Sequence, residues 1–131
     1  MISVLIATHD DEARLGRTLL PLVAAAVDGL VSEVIVADAG SSDATTEIAD
    51  DAGCRIVSGG LEAARAVAKA PWLLIMAPGA RLQPGWDTAA KAHIERGTKS
   101  LLRLPIRPGL TGRLAALLAR EGQGAVLVRR A

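Results

Sequence analysis

Acidic and hydroxyl side chains follow an apolar segment of this 131-residue chain, where they could bind a polar ligand. Asp38 comes directly after the apolar residues 34–37. A carboxylate at the end of a strand can accept two hydrogen bonds from a ribose or from the edge of a base. We therefore predict a binding role for Asp38. The polar residues that follow it are better explained by turn and helix-capping chemistry (Ser41, Ser42 and Asp43).

Two further segments end in loops of opposite character. The apolar residues 2–7 are followed by Thr8-His9-Asp10-Asp11, which offers hydroxyl, imidazole and carboxylate groups. The apolar residues 72–77 lead into Pro78-Gly79-Ala80, and no Asp or Glu occurs between Ala63 and Trp86. A single histidine at the end of a strand, such as His9, is otherwise more often an exposed or capping residue. The second loop has no carboxylate with which to hold a metal ion.

The elements that must position these loops alternate between strand and helix. Apolar runs rich in Val and Ile predict strands, and segments with helical spacing or capping signals predict helices. This alternation favours an α/β fold of three layers, a mainly parallel sheet with helices on both faces, whose ligands bind beyond the carboxyl ends of the strands. The predicted strands are 2–7, 33–38, 54–60, 72–77, 100–106 and 124–130, and the predicted helical segments are 12–27, 40–53, 61–70, 84–97 and 109–120.

The first and fourth helices allow finer predictions. In the first, Asp10 or Asp11 can cap the amino end, and Pro21 should kink or divide the helix near Arg17. Its buried stripe is expected at Leu15, Leu19, Leu22, Val23 and Ala26. In the segment 84–97, Trp86 is expected in the core and His93 at the surface.

Composition narrows the class of protein. Half of the residues are apolar, there is no Phe or Tyr, and 131 residues suffice for one domain with its own core. A net charge of +1, with dispersed basic residues, does not favour nucleic-acid binding. The single cysteine, Cys54, fits a reduced, cytoplasmic setting and has no spacing typical of a metal site. No segment is long and apolar enough to predict a membrane span.

Four segments together resemble family 2 glycosyltransferases of the GT-A fold. They are "SVLIATHDDEARLGRTL" (3–19), "EVIVADAGSSDATTEIADDAGCRIV" (33–57), "WLLIMAPGARLQPGW" (72–86) and "EGQGAVLVRRA" (121–131). Their order, approximate gaps and strand–loop–helix contexts agree with the family. The resemblance implies a single GT-A-like domain over 1–131, shortened at the acceptor side. It also implies binding of a nucleotide-diphosphate sugar whose sugar is passed to an acceptor.

The resemblance assigns a binding role to residues of all three loops. Backbone and ring groups after the first strand would line the base pocket, an acidic residue follows them, and Asp38 would hold the uracil or ribose. The family often has a basic residue after its third loop. The substrate-binding residues implied in this way are Ala7, Thr8, His9, Asp11, Asp38 and Arg81.

The chain departs from the family at positions that matter for catalysis. The family's metal-binding Asp-x-Asp falls on residues 77–79, its usual Pro falls on Ala7, and a second acid falls on Ala39. The position of its catalytic base falls on Gly122, which leaves only the neighbouring Glu121 as a candidate. Each preorganised electrostatic contact that is lost costs about 3–4 kcal/mol of transition-state stabilisation. No metal cofactor is therefore expected.

Three hypotheses follow for the function. The first is a glycosyltransferase that is metal-independent or catalytically impaired. The second is a non-catalytic domain that binds a nucleotide or nucleotide sugar, and the third is a protein-interaction module. Arg65 and Lys69 are basic residues near the predicted loops that could replace the metal charge. They are interpreted instead as solvent-exposed helix residues. We also expect self-association, because a shortened sheet exposes an apolar edge or face.

Overall fold

Strands and helices alternate along the chain in the computed structural model, which describes residues 1–97, 101–104, 106–107 and 125–130. The strands are β1 (Ile2–Thr8), β2 (Val31–Asp38), β3 (Arg55–Ser58), β4 (Trp72–Met76), β5 (Arg81–Leu82), β6 (Leu102–Leu104), β7 (Ile106–Arg107) and β8 (Ala125–Arg129). The helices are α1 (Glu12–Val27), α2 (Thr45–Asp51), α3 (Leu61–Val67) and α4 (Trp86–Glu95). The predicted helix 109–120 lies outside the described residues.

Six strands form the main sheet, in the order β3-β2-β1-β4-β8-β6. The first four along this order run parallel, while β8 pairs antiparallel with both β4 and β6. Successive strands β1, β2 and β3 step in one direction, and β4 returns to the other side of β1. The strand order therefore reverses between β1 and β4, the kind of position where open α/β sheets bind ligands.

Helices cover both faces of this sheet, which confirms the predicted three-layer α/β architecture. On one face, α1, α2 and α4 contribute to a core that includes Leu15, Ala49 and Trp86. On the other face, Ala64 and Ala68 of the α3 region pack with side chains of β1, β2 and β4. Parallel strands buried on both faces need unbroken apolar runs, and the sequences of β1 and β4 have them.

Helix α1 differs from its prediction in two respects. It is one helix from Glu12 to Val27 with Pro21 inside it, so of the predicted kink or division near Arg17 the division does not occur. The buried side is formed by Leu15, Thr18, Leu19, Leu22 and Ala25, whereas Val23 and Ala26 face solvent. The apolar packing against the sheet stabilises the helix although Pro21 removes one backbone donor.

The predicted exposure of His93 is also wrong. Trp86, Ala90 and His93 share the inner side of α4, and the His93 side chain is buried. Its ring meets that of Trp72 edge-on, with ring centroids 5.5 Å apart. The predicted core position of Trp86 is confirmed.

Glu33 attaches the amino end of β4 to the first two strands. Its Oε2 accepts hydrogen bonds from Ser3 Oγ at 2.6 Å and from the Lys69 amide at 2.7 Å. Burial raises the pKa of Glu33, but these bonds and the charges of Lys69 and Arg55 bring it below its ordinary value. These contacts join the segment before β4 to β1 and β2.

A small second sheet was not predicted. Strand β5 pairs antiparallel with β7, with Arg81 opposite Arg107. The predicted strand 100–106 is present as β6 and the first residue of β7, with residue 105 between them outside the described residues. No helix among the described residues is long and apolar enough to cross a membrane.

Candidate functional site

The loops after β1, β2 and β4 lie at one edge of the sheet. Thr8 is paired in register with Asp38, and Ile6 with Met76, so the three parallel strands end at nearly the same level. The loops at 9–11, 39–44 and 77–80 therefore surround the point where the strand order reverses. Five of the six predicted binding residues lie on the first two of these strands and loops, namely Ala7, Thr8, His9, Asp11 and Asp38.

Asp38 is buried and accepts hydrogen bonds on both carboxylate oxygens. Its Oδ1 accepts from Thr8 Oγ1 at 2.8 Å and from the Ser41 hydroxyl. Its Oδ2 accepts from the amides of Gly40 at 3.1 Å and Ser41 at 2.8 Å. Gly40 has a φ of +85°, a conformation that favours glycine and lets the chain turn back onto the carboxylate. The Asp38 side chain thus shapes the turn that follows β2.

The hydrogen bonds keep Asp38 ionised. Burial raises the pKa of its carboxyl group, but donation from the Ser41 hydroxyl and amide, from Thr8 and from Gly40 outweighs this effect. The pKa therefore lies below the ordinary value of 3.8. A carboxylate has about four lone-pair sites, and four donors of the chain already use them.

Two hydroxyl groups join the loop after β2 to the loop after β1. Ser41 Oγ donates to Asp38 and accepts from the Asp10 amide at 2.9 Å. Thr45 Oγ1 donates to Asp43 and accepts from the Asp11 amide at 2.8 Å. Each hydroxyl connects a carboxylate of one loop with a backbone donor of the other.

Reciprocal contacts complete this connection. Asp10 Oδ1 accepts from the Ser42 amide at 2.8 Å, and Glu12 Oε2 accepts from the Ala44 amide at 3.2 Å. Asp10 has a φ of +51° and is the one residue other than glycine, among those described, with a positive φ. Such a backbone costs of order 1–3 kcal/mol and persists because surrounding contacts hold it. The two loops therefore form one hydrogen-bonded unit, which we call the paired loops (residues 8–12 and 38–45).

The predicted cap of α1 is wrong, whereas Asp43 makes the predicted capping contact with the first amide of α2. Asp11 precedes α1, but its carboxylate makes no capping bond and instead accepts from the His9 amide at 2.9 Å. Ala44 precedes α2, and Asp43 lies one residue earlier. Asp43 Oδ1 accepts from the Thr45 hydroxyl and amide, and these bonds lower its pKa. Asp43 therefore caps the first amide of α2, while Asp10 and Ser41 join the two loops.

His9 and Arg81 lie at the surface in different places. The His9 side chain is 62% exposed, with Nε2 3.5 Å from Asp10 Oδ2, at the open side of the paired loops. Arg81 is exposed on β5 and lines a shallow groove to which none of the other predicted binding residues contributes. The groove is also lined by Leu20, Pro21, Leu82, Pro84 and Trp86. Glu121 and Gly122 lie outside the described residues.

The loop after β4 is attached to α1. The Gly79 amide donates to Thr18 Oγ1 at 2.8 Å, and the Thr18 side chain is fully buried. Gly79 has a φ of +90°, and a Cβ added there would lie 3.4 Å from Arg14 Cδ. Arg14 and Thr18 are four residues apart on one side of α1, a spacing that brings both to the same loop. The sequence prediction missed these two residues, because their spacing defines one side of α1 but does not indicate which loop that side meets.

The residues present do not fit a metal ion held by this loop. Residues 77–79 have no carboxylate, and in the part of the chain that the structure describes no group of three or more His, Cys, Asp or Glu residues could hold a metal ion. The polar contacts of this loop are made by backbone groups. The Gly79 amide donates to Thr18 Oγ1, and the Ala80 amide donates to the Ala77 carbonyl.

Solved structures share this fold. Glucosyl-3-phosphoglycerate synthase from Mycobacterium tuberculosis, in complex with Mn²⁺, UDP and glucosyl-3-phosphoglycerate, matches 99% of the chain at 24% identity with a TM-score of 0.69. A mycobacterial protein matches 99% at 25% identity with a TM-score of 0.71. TarS of S. aureus matches 76% at 19% identity with a TM-score of 0.63. The chain covers 57%, 53% and 34% of these three proteins, so it spans little more than half of the first two.

Sequence comparison identifies the family. No curated protein has a sequence that significantly matches this chain. Residues 3–101 match the model of Glycosyl transferase family 2, and this stretch includes the paired loops and the loop after β4. The GT-A fold predicted from the sequence is confirmed by the structural neighbours. The chain therefore belongs to glycosyl transferase family 2.

Proposed function

We propose that this chain binds a nucleotide-diphosphate sugar at the edge of the sheet where β1, β2 and β4 end. The observation that carries the proposal is the pair of hydroxyl links through Ser41 and Thr45, which makes one rigid surface from two loops. Rigid, preorganised groups at a reversal of strand order are typical of nucleotide sites. The structural neighbour from M. tuberculosis was obtained in complex with UDP-glucose, which agrees with this ligand class.

The proposed contacts follow the sequence prediction. The backbone of Ala7 and Thr8 and the exposed ring of His9 would line the base, and Asp11 would lie beside them. Asp38 would meet the uracil or ribose. Because its lone pairs already accept four hydrogen bonds, a ribose hydroxyl must replace one donor, and the half-buried Ser41 hydroxyl is one that side-chain rotation alone can remove. Apart from Ala7, which directly precedes them on β1, these groups all belong to the paired loops.

Arg81 is proposed as a more distant contact. Its exposed side chain starts from β5, directly after the loop at 77–80, so it would approach the phosphate or sugar side of the donor. A guanidinium group binds phosphate oxygens through two parallel hydrogen bonds.

We propose that donor binding does not depend on a divalent metal and that glycosyl transfer is metal-independent or impaired. The family's metal carboxylates are replaced by Ala77, Pro78 and Gly79. When bound in a relative, the metal would neutralise the departing diphosphate. Here that charge has to be met by side chains of the chain itself, or transfer is slow. Glu121 remains the candidate for the acceptor base.

A second candidate function is self-association through α1. Three large apolar side chains on its outer side are exposed, Leu20 by 64%, Val23 by 57% and Val27 by 82%. They are spaced three and four residues apart, which places them on one stripe of the helix. This observation favours an interaction module that forms homo-oligomers.

A cytoplasmic location is proposed as well. The chain has one cysteine, Cys54, which is free and half-buried. Burial raises the pKa of its thiol to about 11, so it stays protonated and unreactive at neutral pH. Fractionation of cells that express the chain would test this location.

Calorimetric titration of UDP and GDP, in a chelator and again with Mn²⁺, tests the proposed function. We expect saturable binding of one nucleotide in the chelator, with an affinity that Mn²⁺ changes less than about threefold, a difference below 1 kcal/mol. Binding that requires Mn²⁺ would contradict metal independence. The absence of binding in both conditions would contradict nucleotide recognition and leave the interaction module as the function.

A further inference from the structure

Arg14 covers the loop in which the family has its metal carboxylates. It lies in the first turn of α1, and its Cβ, Cγ and Cδ atoms lie 3.4–3.7 Å from the position that a Cβ on Gly79 would occupy. The aliphatic part of the side chain therefore packs across the glycine. This contact fixes the direction in which the side chain leaves the helix.

The guanidinium group of Arg14 lies between two loops of the candidate site. Its Nη1 is 3.7 Å from Asp11 Oδ1, so the charged end lies near the loop after β1 while the stem covers the loop after β4. A separation of 3.7 Å is too long for a hydrogen bond. The side chain is 69% exposed, and among the described residues this weak ion pair is its only polar contact. Most of its five donors therefore face solvent.

The guanidinium group of Arg14 lies where the diphosphate of a bound nucleotide would need positive charge. The strand order reverses between β1 and β4, and Arg14 bridges the loops that follow these two strands. In this chain no carboxylate of residues 77–79 can bring a metal ion there. A guanidinium is always charged near neutral pH and binds phosphate oxygens in pairs.

We propose that Arg14 binds the β-phosphate of the donor nucleotide and supplies the positive charge that a metal ion would bring. This inference rests on the proposed function, since it assumes that a nucleotide diphosphate binds at this edge. It assigns a phosphate-binding role to a residue on α1, outside the three loops. The weak contact with Asp11 holds the guanidinium close to the site without using its donors.

The test compares UDP with UMP, which differ by the β-phosphate, in calorimetric titrations with a chelator present. Wild-type protein is expected to bind UDP about tenfold more tightly than UMP, the lower range for a charge-assisted hydrogen bond. Arg14→Gln should bring this ratio close to one and leave UMP affinity unchanged. Arg14→Lys should keep part of the preference, because it retains the charge and loses the paired geometry.

Arg65→Gln is the matched control. Arg65 is an exposed arginine on α3, on the opposite face of the sheet, and its replacement should leave the UDP preference unchanged. Thermal unfolding checks that each variant is folded. If wild type and Arg14→Gln bind UDP equally, or if Arg14→Gln weakens UDP and UMP alike, the phosphate role is wrong while nucleotide binding stands. If wild type binds neither nucleotide, the proposed function itself is wrong and this role with it.

Discussion

At the scale of single residues, Asp38 has a structural role that the sequence did not predict, in addition to the binding role proposed for it. The prediction placed it at a strand end as a ligand acceptor. The structure places it there and also gives it four donors, from Thr8, Gly40 and Ser41. Its negative charge organises the turn after β2, and any nucleotide contact would be made through a carboxylate that the chain has already oriented.

Asp38→Asn should destabilise the fold. An amide nitrogen cannot accept the hydrogen bonds that one carboxylate oxygen accepts, and hydrogen bonds to charged groups contribute about 1.5–3 kcal/mol each. We expect the free energy of unfolding at pH 7, measured by urea denaturation, to fall by about 2 kcal/mol. Asp51→Asn, at the exposed end of α2, serves as control and should change it by less than about 0.5 kcal/mol.

The difference between wild type and Asp38→Asn should depend on pH. The pKa of Asp38 is lowered in the folded state, so its stabilisation is complete above the unfolded value near 3.8 and is lost as the pH falls through the folded value. The gap between the two unfolding free energies should be constant from about pH 7 to 5 and narrow below about pH 4. A gap that stays constant or widens in acid would refute this role of the charge.

The residue contacts that join the loops could not be predicted from the sequence. Ser41 and Asp10, or Thr45 and Asp11, are more than 30 positions apart, and the bonds between them depend on the register of β1 against β2. The types of the residues were compatible with ordinary caps. Arg14 was missed for the same reason, because its partner Gly79 becomes a neighbour only through the sheet.

At the scale of elements, the loop after β4 is held by α1. The hydrogen bond from Gly79 to Thr18 and the cover by Arg14 join a loop of β4 to a helix that precedes it by more than 50 residues. The loop that would carry metal ligands in a relative is here a packed turn. Its shape depends on a glycine with a positive φ.

Gly79→Ala and Gly16→Ala should have opposite effects on stability. Gly79 has a φ of +90°, where an L side chain costs about 1–2 kcal/mol, so its replacement should lower the free energy of unfolding by that amount. Gly16 lies inside α1 with open space around it, and alanine there should raise the value by about 0.5–1 kcal/mol. Thermal or urea unfolding measures both. Equal effects in the two variants would contradict the conformational explanation.

Most elements of the fold were predictable, because apolar runs and helical spacing reflect burial directly. Strands β1, β2 and β4 and helix α1 match their predicted segments closely. The sequence pattern gave wrong predictions where tertiary packing determines helix continuity or side-chain burial. Pro21 stays within a continuous helix, and His93 is buried beside Trp72 although histidine favours neither core nor surface. The short β5–β7 pair has too few residues to show any periodicity.

At the scale of the whole molecule, the six-stranded sheet carries the site at one edge and an exposed apolar stripe on α1. The order of the strands places the β1 and β4 loops on the two sides of its reversal. The stripe of Leu20, Val23 and Val27 has no cover among the described residues. These two features support separate functions and can be tested separately.

Self-association should depend on this stripe. We expect wild-type protein at micromolar concentration to have a mass above that of the 13.5 kDa monomer in sedimentation or light scattering. Val23→Glu places a charge in the stripe and should shift the protein towards monomer. Ala66→Glu, at an exposed position of α3, is the control and should leave the mass unchanged. A monomeric wild-type mass would contradict the interaction.

The proposed recognition of a donor nucleotide by the paired loops does not require the metal carboxylates that the family has. Its most direct test is the dissociation constant of UDP in a chelator, measured for wild type, Asp38→Asn and Asp51→Asn at a pH where all are folded. We expect saturable binding by wild type, a clearly lower affinity for Asp38→Asn and an unchanged affinity for Asp51→Asn. No UDP binding by wild type, or equal affinities in all three proteins, would contradict it.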